Sequence, residues 1–293
     1  MGKPVIAVLG TGLMGAPMAL NLLKSDYPVR AWNRSAEKAL PLAEKGAEIC
    51  ASPAEAAAQA EFVITMVSDG RAVADLLFHQ GVAEAMRSGT VFIDMSSIKP
   101  AEARDHTERL SEAGIACLDA PVSGGTRGAE AATLAIMAGG EEQAFDRAKP
   151  VLKAMGRPVR VGPAGAGQLA KLANQAIVAA TIGVVAEAML FAEQGGADPA
   201  ALRDALKGGF ADSIILQQHG ERMTTGNFIP GGRSSTQLKD MDNILEEAAR
   251  LNLELPLTEQ MQRRYRHLVE ELNGADTDHS GIYLELKDRN QLT

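Results

Sequence analysis

Cysteine is nearly absent: Cys50 and Cys117 are the only two in 293 residues, far apart and outside any CxxC spacing. That excludes a disulfide scaffold and suits a reducing compartment. A surplus of basic charge is missing too. Lys and Arg number 29 against 37 Asp and Glu, for a net charge of -8, which argues against a phosphate-backbone partner. The basic stretch "QRRYRH" reads as a solvated helix face. Long apolar runs are also lacking. The best candidate, "AGAGQLAKLANQAIVAATIGVVAEAML" (164–190), is broken by Gln168, Lys171, Asn174 and Gln175. About 11 uninterrupted apolar or near-neutral residues remain, against the ~20 of a membrane span. With "KPVIAVLG" opening the chain and no basic-then-apolar leader before it, the expectation is a soluble, cytoplasmic protein with no membrane partner. Neither an internal repeat nor a low-complexity tract is evident.

What is present is ordinary globular composition, 46% hydrophobic and 23% charged. The length suits two domains of roughly 150 residues each. Up to residue 162, short aliphatic runs alternate with Ala- and Glu-rich stretches long enough for helical crossovers. The runs are "VIAVLG" (5–10), "VRAWN" (29–33), "FVITMV" (62–67), "TVFIDMS" (90–96) and "IACLDAP" (115–121), with "TLAIMAGG" (133–140) and "PVRVG" (158–162) after them. The pattern predicts a Rossmann-like, doubly wound parallel α/β sheet covered on both faces. After the joint "PAGAG" no strand is expected, and helices are predicted over 165–194, 198–207, 236–251 and 256–272. The division is thus 1–162, a dinucleotide-binding domain, and 163–293, an all-α domain for substrate binding and oligomerisation joined by a long helix.

"VLGTGLMGAPMA" places Gly10-x-Gly12-x-x-Gly15 between a strand and a helix. The first glycine permits the tight turn, the second a close pyrophosphate, the third close helix–strand packing. Free amides and the positive end of the helix dipole then hold phosphates. Leu13 and Met14 lie in this turn. Val67, Ser68, Ser96 and Ser97, at the ends of later strands, complete the expected cofactor contacts. The second strand ends in Asn33, Arg34 and Ser35, with no carboxylate to repel a 2′-phosphate. Arg34 can pair with that phosphate, so NADP is expected over NAD. Further along, Ser123-Gly124-Gly125 offers a hydroxyl and approachable amides at a strand's C-terminal end, a nest suited to a carboxylate or simply a glycine-rich turn.

"GTGLMGAPMA", "DAPVSGGTRGAEAATLAIMAGG", "GAGQLAKLANQ" and "LKDMDN" occur in the order found in β-hydroxyacid dehydrogenases, the family of 3-hydroxyisobutyrate dehydrogenase, and the resemblance runs nearly end to end. It implies a dinucleotide-binding domain, a long helix and a helical domain, with the active site in the cleft between them. It also implies that Lys171 is catalytic, that Ser123, Gly124 and Gly125 hold a substrate carboxylate, and that Asn174 is the first asparagine of a lysine-x-x-asparagine-asparagine signature. Gln175 replaces the second. Lys239 matches a lysine that reaches the cofactor. "KLANQAIVAA", "GGFADS" and "FIPGGRSSTQLKD" resemble the branch that reduces tartronate semialdehyde to glycerate. Oxidation of 3-hydroxyisobutyrate and reduction of succinic semialdehyde or glyoxylate are the alternatives. A non-catalytic dinucleotide-binding module is the reading from another class.

Spacing supports the lysine independently. Gln168, Lys171, Asn174 and Gln175 make one polar stripe on a helix face, and three amides can orient an amine without neutralising it. The ammonium would stabilise a developing oxyanion and donate a proton in reduction; the neutral amine would act as base in oxidation, which favours higher pH. No metal is required. "DTDHS" (276–280) is only superficially a metal cluster, and the five histidines are expected to be solvated. The Ala-rich faces of the long helix point to a homodimer or homotetramer.

Overall fold

The computed structural model describes residues 2–292. By internal contacts it divides into Met1–Lys171 and Leu172–Thr293, so the division falls inside the long helix. The first unit is a nine-stranded sheet. Its strands are β1 (Ile6–Leu9), β2 (Val29–Trp32), β3 (Glu48–Ile49), β4 (Phe62–Thr65), β5 (Val91–Asp94), β6 (Ala116–Asp119), β7 (Val122–Ser123), β8 (Leu134–Gly140) and β9 (Gly156–Gly162). Strands β3-β2-β1-β4-β5-β6 run parallel in that order. Strand β8 is antiparallel to both β6 and β7, which lie in succession along its one side, and parallel to β9 on the other. The far end of the sheet is therefore mixed rather than wholly parallel. Aliphatic content marks a strand but not its direction.

Alternation along β1 shows why the central strands are apolar throughout. Ile6 and Val8 enter one core with Met18 and Leu22 of α1 (Gly15–Lys24). Ala7 and Leu9 enter a second core with Val73, Leu76 and Leu77 of α2 (Gly70–Phe78), and with Ala103 and Leu110 of α3 (Pro100–Ser111). Successive side chains of a strand point to opposite faces, so both need apolar cover. After α4 (Gly125–Glu130), α5 (Glu142–Lys153) adds Phe145, Ala148 and Leu152 to the first core.

The long helix α6 spans Ala166–Gln194. At 29 residues, with a mean hydropathy of 1.8 over its most apolar 18-residue window, it is long and apolar enough to cross a membrane. Counting only the uninterrupted run understates it. A helix this apolar is either buried or lipid-facing, and here Leu172, Ala179, Ile182, Val185, Ala186 and Met189 lie in the core of the second unit. That core is completed by α7 (Pro199–Leu206), α8 (Ile214–Thr225), α9 (Ser234–Arg250), α10 (Pro256–Arg266) and α11 (Ile282–Arg289). The chain from His267 to Glu271 continues α10 as a π-helical turn.

Two histidines depart from expectation. His106 is buried and His279 half-buried, and desolvation lowers His279 to about 4. Beside it, Asp278 is the hub of the 276–280 segment. Its Oδ1 accepts from the amide and hydroxyl of Ser280 (3.1 and 2.7 Å) and lies 3.2 Å from His219 Nδ1; its Oδ2 accepts from the Gly231 amide at 2.9 Å. Although burial opposes the charge, these hydrogen bonds hold the Asp278 carboxyl far below the usual range. The segment is thus a buried hydrogen-bond hub rather than a solvated loop.

Candidate active site

In the first unit, expected site residues gather at the C-terminal edge of the sheet, where open α/β sheets bind ligands. The glycine loop joins β1 to α1 as the spacing requires. A Cβ on Gly10 would stand 2.4 Å from the Met66 carbonyl oxygen, and one on Gly15 would stand 1.9 Å from that of Gly10. Both positions exclude any side chain. Gly12 is the opposite case: it is exposed, and a Cβ there would meet nothing within 4 Å. Within α1 the Ala16 amide already donates to the Gly12 carbonyl at 3.0 Å and Pro17 carries no N–H, so the residues present fit a pyrophosphate lying over Gly12, on the loop amides ahead of the helix and its positive dipole end. Leu13 is 84% exposed, while Met14 packs on the core below.

Asn33 holds this loop in shape. Its Oδ1 accepts from the Thr11 amide at 2.9 Å, and its Nδ2 donates to the Ser35 carbonyl at 3.0 Å. Arg34 next to it is exposed. On the neighbouring strands, Val67 N donates to Ser96 Oγ at 3.0 Å, and Ser68 Oγ donates to Asp69 Oδ2 at 2.9 Å. Ser96 is fully buried, so its hydroxyl ties two strand ends together instead of facing a cofactor; Ser97 is half-buried. Beneath it, Asp94 accepts from Thr65 Oγ1 and Ser96 N, both at 2.9 Å, and burial pushes its carboxyl up to about 6. Ser123 is half-buried; the exposed Gly124, with φ of 135°, precedes α4, and the exposed Gly125, with φ of 61°, is its first residue.

The start of α6 is seated on this same sheet. Asp119, at the end of β6, accepts from the Gly165 amide through Oδ1 and from the Gln168 amide through Oδ2, both at 2.8 Å. Burial raises the Asp119 carboxyl against those bonds. Gln168 donates through Nε2 to the Ser96 carbonyl at 2.8 Å and accepts through Oε1 from the Ile98 amide at 3.1 Å. It is fully buried and is spent on pinning the helix, so it does not belong to an amide ring around the lysine. Gly139 and Gly167 permit the fit: a Cβ on Gly167 would lie 2.3 Å from the Asp119 carbonyl oxygen. Lys171, half-buried, follows Gln168 by three residues on α6.

In the second unit, Asn174 Nδ2 donates to Gln175 Oε1 at 2.8 Å. Gln175 Nε2 donates to Asp240 Oδ2 at 2.7 Å and to Gln237 Oε1 at 3.4 Å. Gln175 is buried; the structure commits its amide to α9 rather than presenting it as an open substrate contact. Lys239 is 3.6 Å from Asp240 Oδ1. Sequence reasoning misses Asp119 as the anchor of the start of α6, and Gln237 and Asp240 as the partners of Gln175. Only the position of Asp240, beside Lys239 and three residues after Gln237 on one helix, hints at them.

Elsewhere in the first unit, ligand-type atoms of Glu48, Cys50 and Glu55 lie within 4.8 Å of one another. The Arg30 guanidinium donates to Glu48 Oε1 and to the Glu55 carbonyl, both at 2.7 Å, which already supplies a cation to that group.

A glycine loop on a parallel sheet, with a lysine-bearing helix anchored at the same edge, defines an NAD(P)-dependent dehydrogenase. The chain belongs to the 3-hydroxyisobutyrate dehydrogenase family of β-hydroxyacid dehydrogenases. Residues 5–165 match the NAD binding domain of 6-phosphogluconate dehydrogenase, and residues 165–286 match the NAD-binding domain of NADP-dependent 3-hydroxyisobutyrate dehydrogenase. It is 39% identical to 2-hydroxy-3-oxopropionate reductase of Escherichia coli, over 96% of this chain and 97% of that one. It is 35% identical to a probable 3-hydroxyisobutyrate dehydrogenase of Mycobacterium tuberculosis, over 97% and 98%. Among solved structures, 3-hydroxyisobutyrate dehydrogenase of M. tuberculosis with L-serine superposes at a TM-score of 0.88, with 33% identity over 97% of this chain and 99% of that one.

Proposed function

We propose that the enzyme reduces tartronate semialdehyde (2-hydroxy-3-oxopropanoate) to glycerate with NADPH, and that Lys171 is its catalytic residue. The observation that carries this is the seating of α6: Asp119 and Gln168 fix the helix start to the sheet edge that bears the glycine loop, three residues before the lysine. The 39% identity to a reductase named for this substrate supports the choice of acid. When bound, the nicotinamide cofactor supplies the hydride. Gly10, Gly12, Gly15 and the loop amides ahead of α1 hold its pyrophosphate, with Lys239 a further contact. Ser123 and the amides of Gly124 and Gly125 bind the substrate carboxylate. The Lys171 ammonium hydrogen-bonds the carbonyl oxygen, stabilises its growing negative charge and donates the proton that completes the alcohol. The test is NADPH consumption followed by absorbance with tartronate semialdehyde. No turnover with it, alongside NAD(P)-dependent oxidation of 3-hydroxyisobutyrate, would move the enzyme to that substrate.

Preference for NADP follows from Arg34. A guanidinium on a 2′-phosphate contributes about 1.5–3 kcal/mol, roughly 10- to 100-fold in affinity. Arg34→Ala is therefore expected to weaken NADPH binding by that factor while leaving NADH nearly unchanged. Equal weakening of both in fluorescence titrations would remove the assignment.

We also propose that the working form is a homo-oligomer. On α6, Ile177, Val184 and Phe191 are 66%, 65% and 83% exposed at seven-residue intervals, an apolar seam of the kind that packs a second helix. Light scattering is expected to give a mass at least twice that of one chain; a monomer at micromolar concentration would refute it.

A further inference from the structure

The side chain that replaces the second asparagine of the family signature has a buried acidic partner outside the reacting groups. Gln175 Nε2 points at two acceptors on α9, Asp240 Oδ2 at 2.7 Å and Gln237 Oε1 at 3.4 Å. The orientation of Gln237 is itself set, because its Nε2 donates to the Gln175 backbone carbonyl at 3.3 Å. An ionised carboxylate only accepts, so Asp240 dictates which end of the Gln175 amide faces α9. Its oxygen must then point the other way, where it accepts from Asn174 Nδ2 at 2.8 Å. That turns the Asn174 nitrogen toward Gln175, with one of its two N–H groups engaged, and leaves Oδ1 as the end of the carboxamide turned away from Gln175. Glutamine suits this position because its extra methylene extends the amide toward α9. Asp240 and Gln175 are both buried, in surroundings where a wrongly turned amide would set donor against donor or acceptor against acceptor at high cost.

We infer that Asp240 is a positioning residue for the reaction proposed above: through Gln175 it turns the Asn174 carboxamide so that an oxygen, not a nitrogen, meets a hydroxyl group of the substrate. The chemical class this selects is a three-carbon semialdehyde acid whose 2-position carries a hydroxyl. Removing Asp240 takes away the short, charged acceptor and leaves the longer contact to Gln237, so the Gln175 amide can turn over and take Asn174 with it. The consequence falls on substrates that donate a hydrogen bond there and spares those with a methyl group in its place.

Steady-state kinetics of wild type, Asp240→Ala, Gln175→Glu and the exchange variant Gln175→Glu/Asp240→Asn test this, with tartronate semialdehyde and with methylmalonate semialdehyde. Misorientation of one contact group can cost on the order of 10- to 100-fold. At saturating NADPH, because releasing Lys239 from Asp240 Oδ1 at 3.6 Å alters a proposed cofactor contact for both substrates alike, Asp240→Ala is expected to lose that much kcat/KM with the hydroxylated substrate and little with the methyl one. Gln175→Glu sets two carboxylates face to face and should fail similarly. The exchange variant restores a donor–acceptor pair in which the amide introduced at position 240 donates, and the carboxylate at 175 still accepts from Asn174, so activity should return most of the way. Wild-type kcat/KM in Asp240→Ala, equal losses on both substrates, or an exchange variant no better than Gln175→Glu overturns the inference. If Asp240→Ala does not fold, the exchange variant against Gln175→Glu decides alone. Wild type inactive on both substrates would instead remove the reaction assigned above. The side-chain amide NMR signals of Asn174 and Gln175 then decide: unchanged signals in Asp240→Asn overturn the relay, and shifted signals at both residues support it.

Discussion

Lys171→Ala is expected to lower kcat for the reduction by about 10³-fold, within the 10²–10⁴ range of lost acid–base catalysis, with little change in NADPH affinity. The reason is the division of labour along the first turns of α6. Anchorage belongs to Asp119 and Gln168, and the cofactor loop belongs to β1 and α1, so truncating Lys171 leaves both in place. Lys171→Arg keeps the charge but replaces an amine that can give up a proton with a guanidinium that does not, and it should recover only a small part of the rate. In the oxidising direction the wild type should speed up as pH rises, because the neutral amine is the base, and Lys171→Ala should lose that dependence. Single-turnover absorbance and a cofactor titration on the same samples check all three. A Lys171→Ala enzyme within tenfold of wild type would mean that the proton comes from elsewhere.

Gly15→Ala should abolish useful cofactor binding and also weaken the first unit. The added methyl would lie 1.9 Å from the Gly10 carbonyl oxygen, a contact that only backbone movement can relieve. Overpacking of that kind costs about 1–3 kcal/mol. Movement of the loop also pulls its amides off the phosphates, and each charge-assisted hydrogen bond lost is worth about 1.5–3 kcal/mol. NADPH affinity should therefore fall by roughly 100-fold or more. Gly12→Ala separates the two effects. Its methyl meets nothing within 4 Å, so the melting temperature should hold while the cofactor loses the close approach it needs. Thermal melts and fluorescence titrations distinguish the two variants. Wild-type melting and wild-type affinity in Gly15→Ala would show that the loop is arranged differently.

The sheet is legible in the sequence because a strand buried on both faces has to be apolar at every position. Thus β1, β2, β4, β5, β6 and β8 announce themselves, while the largely exposed β9 is marked only by its short Val-rich run after them. Strand β3 is two residues, Glu48–Ile49, too short to carry a pattern, and β7 is a resumption of the β6 edge that only its pairing with β8 reveals. Helix α8 escapes a reading by periodicity because "IILQQHGERMTT" is polar over most of its length and contains Gly220. It is recognised by its ends, where Ser213 caps the first turn and Gly226 closes the last with φ of 67°. Helix α11, "IYLELKDR", escapes as well. The glycine loop can be read from spacing because its constraints are local.

The amides near Lys171 cannot be read the same way. Gln168 and Gln175 share a face with the lysine, but their partners Ser96 and Asp240 lie 72 and 65 residues away. Helical spacing shows which residues share a face; it says nothing of what another segment brings to meet them. The same holds for Ser96, whose place at a strand end suggests a ligand contact while its hydroxyl is already taken by Val67. His106 is the converse, a residue in a polar string that tertiary packing buries.

Asn33 and Arg34 are neighbours with unrelated obligations. Asn33 fastens the glycine loop to the end of β2 through Thr11, and Arg34 beside it stands exposed. On the role proposed for Arg34, the shape of the phosphate cradle and the choice between cofactors are written at separate codons. Descendants of this gene could exchange one nicotinamide pool for the other by single steps at position 34, without first passing through a form whose loop had come undone.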